Sequence, residues 1–354
     1  MTEELHEAYD AVVVGGGAAG LNGALMLARS RRTVAVIDAG APRNAPAEGV
    51  HGLLGRDGIP PALLLARGRD EVRSYGGQVI SGEVANVRST SGGDGSLFEV
   101  ELADGRRTRA RRLLVTSGLV DELPDVPGVR ERWGRDVIHC PYCHGWEARD
   151  RAIGVIGTHP MATHSALLFR QLSDDVTLFT HTMPALTDEQ WDQLAARGIA
   201  VVEGEVAGLE IDEAEDRITG VRVRGLRAAG GKVFAREVIA VGPRAVLHVD
   251  FLDAVGLRPQ PHPSGMGDHL PADQFGRSTV PGVWLAGNVT DPSAQVGAAA
   301  AAGAMAGAQI NFDLVTQETN AAVAVRNDPF SAASEAQVHD LVSAATPERR
   351  HGLG

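Results

Sequence analysis

Both cysteines of the 354-residue chain stand in one tetrapeptide, Cys140-Pro141-Tyr142-Cys143, with His144-Gly145-Trp146-Glu147 directly after it. Two thiols at this spacing can close a compact disulfide, and a neighbouring imidazole can take a thiol proton to make the thiolate that attacks. Zinc is the competing reading, but structural zinc is commonly held by two such knuckles, and the chain has no second CxxC. His139 and His144 could complete a ligand set only with strained, sequence-adjacent geometry, so no metal site is expected. Redox chemistry fits the spacing better, with Cys140 and Cys143 as the pair and His144 as the acid–base candidate.

A second constellation lies near the N-terminus. A short β-branched run ends at Val14, followed by Gly15-Gly16-Gly17-Ala18-Ala19-Gly20, an apolar helix-like stretch from Leu21 to Ala28, and another apolar run from Thr33 to Ile37 that stops at Asp38. This is the dinucleotide-binding βαβ fingerprint, with the acid 18 residues after Gly20. Gly15 permits a tight turn, Gly17 lets backbone approach a pyrophosphate, Gly20 lets helix pack on strand, and Asp38 accepts from a ribose hydroxyl. The motif alone leaves NAD and FAD both open. A similar strand, turn and helix recur over Ala152–Leu172, followed by a strand at Val176–Phe179. Strands are also expected at Phe98–Leu102 and Arg112–Val115, the latter closing on Thr116-Ser117-Gly118. Near the C-terminal end, Val283–Ala286 leads into Gly287-Asn288, and a small-residue helix is expected over Gln295–Gln309.

Composition narrows the classes. With 33 Lys+Arg against 45 Asp+Glu the formal net charge is -12, which argues against nucleic acid or an anionic membrane as partner. Two cysteines cannot staple a secreted scaffold. The first ten residues carry Glu3, Glu4, Glu7 and Asp10 without an apolar run, and the Ala/Gly-rich stretch Ala294–Ile310 is too short and too weakly apolar to span a bilayer. A cytoplasmic protein is expected. The 43 glycines are concentrated at turns rather than spread as in a linker.

Taken together, the glycine turn, Asp38, Thr116-Ser117-Gly118, the mid-chain CxxC and Gly287-Asn288 with Gln295-Val296 resemble the low-molecular-weight thioredoxin reductases over about Tyr9–Phe312. The resemblance implies an α/β chain of two Rossmann-like domains, the second inserted in the first. The FAD-binding domain would take residues 1–119 and 244–316, a degenerate NAD(P)-binding-like domain carrying the CxxC residues 120–243, and a tail residues 317–354. FAD would lie along Gly15, Gly17, Ala18, Ala19, Gly20, Asp38, Ala39, Arg43, Asn44, the backbone of Val84, Thr116, Ser117, Gly118, Gly287, Asn288, Gln295 and Val296. Asn288 stands where the family has an acid; an amide can still hydrogen-bond a ribityl hydroxyl. A homodimer is expected from the family alone.

The second glycine motif departs from the family. It reads Gly157-Thr158-His159-Pro160-Met161-Ala162, placing His159 and Pro160 where backbone should approach a pyrophosphate. No Arg or Lys occurs from Gln171 to Gln190, where the 2'-phosphate of NADPH would be read. Cys140-Pro141-Tyr142-Cys143-His144 also lacks the acid that reductases place after the second cysteine. This pattern is similar to the thioredoxin-reductase-like dithiol oxidases that close the disulfides of gliotoxin, holomycin and romidepsin. The similarity implies oxidation of a small natural-product dithiol with O2 as acceptor and hydrogen peroxide as product, Cys140 engaging substrate, Cys143 facing FAD and His144 as base. The alternative is an NAD(P)H-dependent thioredoxin or disulfide reductase. Among other residues, His51 reads as an ordinary surface or packing histidine, Trp146 as packing, and Glu210–Asp216 as a solvated hairpin face.

Overall fold

The computed structural model describes residues 4–90, 97–224, 231–327 and 332–345. Its first sheet begins with β1 (Ala8–Val14), α1 (Ala18–Arg29), β2 (Val34–Asp38), α2 (Pro61–Ser74) and β3 (Gln78–Ser81). β1 pairs in parallel with β2 and with the strand Arg107–Val115, which pairs in parallel with the late strand Val283–Leu285. An antiparallel pair, Val84–Ser89 and Phe98–Leu102, extends the same sheet. From Ala11 to Val14 β1 is apolar throughout because both its faces are buried there. Ala11 and Val13 pack with Leu21, Ala24 and Leu27 of α1, while Val12 and Val14 pack on the opposite side with Ile37, Leu113 and Val115.

A second, all-parallel sheet is built from Ile153–Ile156, Val176–Phe179, Ala200–Val202, Val238–Val241 and Val137–Ile138. It has its own core, with Ile153, Val155 and Phe169 on one side and Val137, Ile156 and Phe179 on the other. Two short antiparallel strands, Val120–Glu122 and Arg244–Val246, run side by side where the chain leaves the first sheet and returns. The acidic run falls in the antiparallel hairpin Val206–Asp212 and Arg217–Val223, as the sequence led us to expect. It is not wholly solvated, however: Asp216 at its tip pairs with Arg132 and Arg135, and Arg132 is itself buried against Asp136.

The C-terminal helix is longer than its small-residue stretch predicts, running Val296–Asn327, and a further helix spans Ala332–Ala345. Its N-terminal half crosses α1 at a distance no side chain would allow. A Cβ on Gly303 would come within 1.9 Å of the Ala19 carbonyl oxygen, and one on Gly307 within 2.5 Å of the Gly23 carbonyl oxygen. Its middle is tied to the sheet by Arg112 with Asp313 and by Arg32 and Arg111 with Glu318. No described helix is long and apolar enough to cross a membrane.

Candidate active site

At the carboxyl ends of β1 and the strand Arg107–Val115 the chain makes two turns that grip each other. Gly15 adopts φ +102°, and the Thr116 hydroxyl donates to its carbonyl at 2.8 Å. A Cβ on Gly15 would sit 2.5 Å from the Thr116 carbonyl oxygen, and one on Gly20 1.9 Å from that of Gly15. Gly17 and Gly118, by contrast, have open space where a Cβ would be. α1 starts at Gly17 with no side-chain cap and no acid in its first turn, so its leading amides are left for an anion. Asp38 at the end of β2 accepts from the Gly16 amide at 3.1 Å and pairs with Arg69 at 3.1 Å.

These turns open into a cleft of about 300 Å³ that runs from Asp38 to the cysteines. Of the residues expected from sequence, Gly15, Gly17, Ala18, Ala19, Asp38, Arg43, Asn44, Thr116, Ser117, Gly118, Gly287, Asn288, Gln295 and Val296 line it with Cys140, Cys143 and His144. Gly20 lies behind the turn, Ala39 is exposed, and Val84 sits in the core; none of the three lines the cleft. The Asn288 amide nitrogen donates to the carbonyls of Asp291 and Ala294, so its oxygen is what remains for a ligand hydroxyl. Open space at Gly17, uncapped amides on α1 and a long cleft ending at two thiols fit a flavin dinucleotide.

The dithiol is placed by a single turn of helix, Pro141–His144, whose first position takes proline without losing a hydrogen bond. Both thiols are free and half-buried. Cys140 accepts from the Cys143 thiol and from backbone amides, which brings it down to about 7; the same bond and burial push Cys143 up. In the reduced pair the thiolate is therefore favoured on Cys140 and the proton on Cys143. His144 is held below the usual imidazole range by burial, and neither of its ring nitrogens has a hydrogen-bond partner. A neutral, unpartnered imidazole beside two thiols is free to accept a proton.

Three features were missed at the level of sequence. Arg43 lines the cleft but is already committed, to Asp121 through two bonds of 2.7 and 2.8 Å and to the Pro292 carbonyl. His51 forms part of the cleft wall, not an ordinary surface, with Nδ1 3.4 Å from Asp57 and Nε2 3.7 Å from Glu147. Trp146 is not packing: it is 67% exposed, with the Arg149 guanidinium 4.3 Å above its ring. Only the last carried a local signal, an arginine three residues after the indole.

The second glycine turn is closed. Met183 lies on Gly157, where a Cβ would meet its sulfur at 2.5 Å, and the His159 ring covers Gly242. His159 Nδ1 accepts the Met161 amide at 3.2 Å, so the donor just ahead of the helix Ala162–Phe169 is taken by the chain's own side chain. His181, at the strand end, accepts the Val206 amide.

Comparison with known proteins agrees with this architecture. Residues 9–307 match the family described as pyridine nucleotide-disulphide oxidoreductase. The protein named thioredoxin reductase sirT of Leptosphaeria maculans is 30% identical over 314 residues, covering 86% of this chain and 94% of its own. Thioredoxin reductase tcpT of Claviceps purpurea is 27% identical over 323 residues, covering 88% and 97%. Among solved structures, HlmI has 43% identity and a TM-score of 0.83 over 94% of this chain and 100% of its own. An oxidoreductase from Agrobacterium tumefaciens has 34% identity and a TM-score of 0.78 over 87% and 99%. The chain belongs to the pyridine nucleotide-disulphide oxidoreductases, in their thioredoxin-reductase-like branch, and is an oxidoreductase of the flavoprotein type.

Proposed function

We infer that the protein is an FAD-dependent dithiol oxidase that closes an intramolecular disulfide in a small natural-product dithiol, with O2 as acceptor and hydrogen peroxide as product. The observation that carries this reading is the contrast between an open first dinucleotide turn and a second one filled by Met183 and His159. A dithiol oxidase needs a flavin and a disulfide but no nicotinamide. FAD would be held by α1 and its glycine turn, by Asp38, and by the Gly287–Val296 segment. The division of the chain after residues 119 and 243, at the Val120–Glu122 and Arg244–Val246 strands, is part of the same proposal, as are a homodimer and a cytoplasmic location.

In the forward cycle a substrate thiolate attacks Cys140 in the Cys140–Cys143 disulfide, leaving Cys143 as thiolate. The second substrate thiolate then attacks the mixed disulfide, releasing cyclic product and the Cys140 thiolate. His144 takes the thiol protons that these steps set free. FAD, when bound, accepts the electron pair from the dithiol and passes it to dioxygen. Cys143 would face the cofactor, and the amide bonds to Cys140 lower the cost of its thiolate as leaving group.

The test is dithiol-driven oxygen uptake. A small dithiol should bleach the bound flavin without oxygen and produce peroxide with it, and Cys143→Ser should stop turnover yet leave the yellow colour. Rapid bleaching by NADPH, with no oxygen uptake on adding dithiol, would establish the reductase reading instead.

A further inference from the structure

The imidazole of His144 is buried, and a base that takes a proton in every cycle needs a route by which to lose it. The loop Val50–Ile59, closed by a bridge between its ends, brings His51 to the cleft wall and within reach of Glu147 after the redox turn. This histidine stands between two carboxylates from different segments, Asp57 of its own loop 3.4 Å from Nδ1 and Glu147 of the redox turn 3.7 Å from Nε2. Asp57 is anchored in turn by the Gly52 amide at 3.0 Å. Glu147 and Asp57 are exposed, His51 is half-buried and His144 has no partner, so the groups form a gradient from the dithiol to solvent.

We propose that His51, held between Asp57 and Glu147 on the wall of the same cleft, is a positioning residue that carries protons between His144 and solvent. This rests on His144 being the base in the proposed function. The balance is simple: a thiol S–H bond breaks, His144 gains the proton and becomes imidazolium, and the sulfur is left as thiolate. The imidazolium then passes its proton by way of His51, which accepts at Nε2 and releases from Nδ1 to Asp57 or water, so that both imidazoles return neutral. The two neighbours act on His144 with opposite sign. Glu147 favours its charged form and His51 opposes it. The remaining ionisable groups at the site, Cys140, Cys143, His139 and Arg43, lie on the dithiol side, and Arg43 is already paired with Asp121.

Two variants and two readouts decide the matter. In His51→Ala, anaerobic flavin reduction by a small dithiol should slow about 10- to 100-fold with little change in KM, and added imidazole should restore much of the rate. By imidazole 15N NMR on the reduced protein, the titration of His144 should move to higher pH in His51→Ala and to lower pH in Glu147→Gln. Retention of the bound-flavin spectrum shows that each variant is folded. A slow His51→Ala that imidazole does not rescue, or two variants that leave the His144 titration where it was, would overturn the relay. His144→Gln at the native rate would instead overturn the parent reading of His144 as base, whereas slow His144→Gln with unimpaired His51→Ala removes only the relay.

Discussion

The two glycine turns of this molecule, Gly15–Gly20 and Gly157–Ala162, follow strands of similar make-up and lead into helices, yet one is left open and the other is filled. In the first, the amides at the start of α1 have no side-chain cap and Gly17 faces open space. In the second, the Met161 amide already has a partner in His159 Nδ1, and Met183 fills the space over Gly157. What separates them is whether side chains occupy the turn: neither helix has a side-chain cap, but the first turn has Gly16, Gly17 and Gly20 where the second has Thr158, His159 and Ala162. An anion site is a set of donors left unfilled, and a histidine two residues upstream is enough to fill one.

The contrast can be broken most forcefully at Gly15. Gly15→Ala forces a Cβ into a backbone at φ +102° and within 2.5 Å of the Thr116 carbonyl, so the protein should purify without flavin, a loss read directly from its visible spectrum. A variant that kept its colour would show that the first turn is not the cradle. The next largest effect is expected where the cleft is clasped. Asp121→Asn removes a charge from the bidentate pair with Arg43, a bond class worth about 1.5–3 kcal/mol, and should slow dithiol-dependent flavin reduction about 10-fold or more.

A smaller effect concerns pH. The reduced dithiol should be alkylated by iodoacetamide at Cys140 first, with a rate that rises through about pH 7 and levels off above it. The sign follows from a depressed thiol: the reactive thiolate is lost as pH falls through that value, while Cys143, pushed up by the shared proton, stays unreactive in the same range. Mass spectrometry of the singly alkylated protein checks both. The smallest effect belongs to the second turn. His159→Ala should leave dithiol oxidation within about twofold, a surface-type change. If it instead conferred rapid flavin reduction by NADPH, the second turn would be a closed but competent site.

How much of this was legible beforehand depended on distance along the chain. The first turn, the dithiol and His144 were readable because the groups that do the chemistry are neighbours in sequence. The oxidoreductase class and the α/β fold followed from them. Arg43 with Asp121 and His51 with Glu147 were not readable as pairs, since each joins segments more than 70 residues apart that only the folded chain brings together. Trp146 was misjudged because aromatic residues are usually buried, and nothing local says which way the turn after a four-residue helix faces. The long C-terminal helix escaped because its second half is largely exposed, and its apolar residues, such as Phe312, Val315, Val323 and Val325, face solvent and do not form a stripe against the core.

The crossing of α1 with the C-terminal helix, backbone against backbone at Gly303 and Gly307, reaches beyond packing. It joins the first thirty residues of the chain to a segment three hundred residues later, and between them they wall the same cleft. During synthesis the N-terminal βαβ unit emerges early but has no surface to close against until residue 307 has left the ribosome. The inserted sheet, whose strands are all contained within residues 137–241, can complete its own core in the meantime. The cleft is thus completed only at the last stage of folding, and a truncated or stalled polypeptide would lack one of its walls.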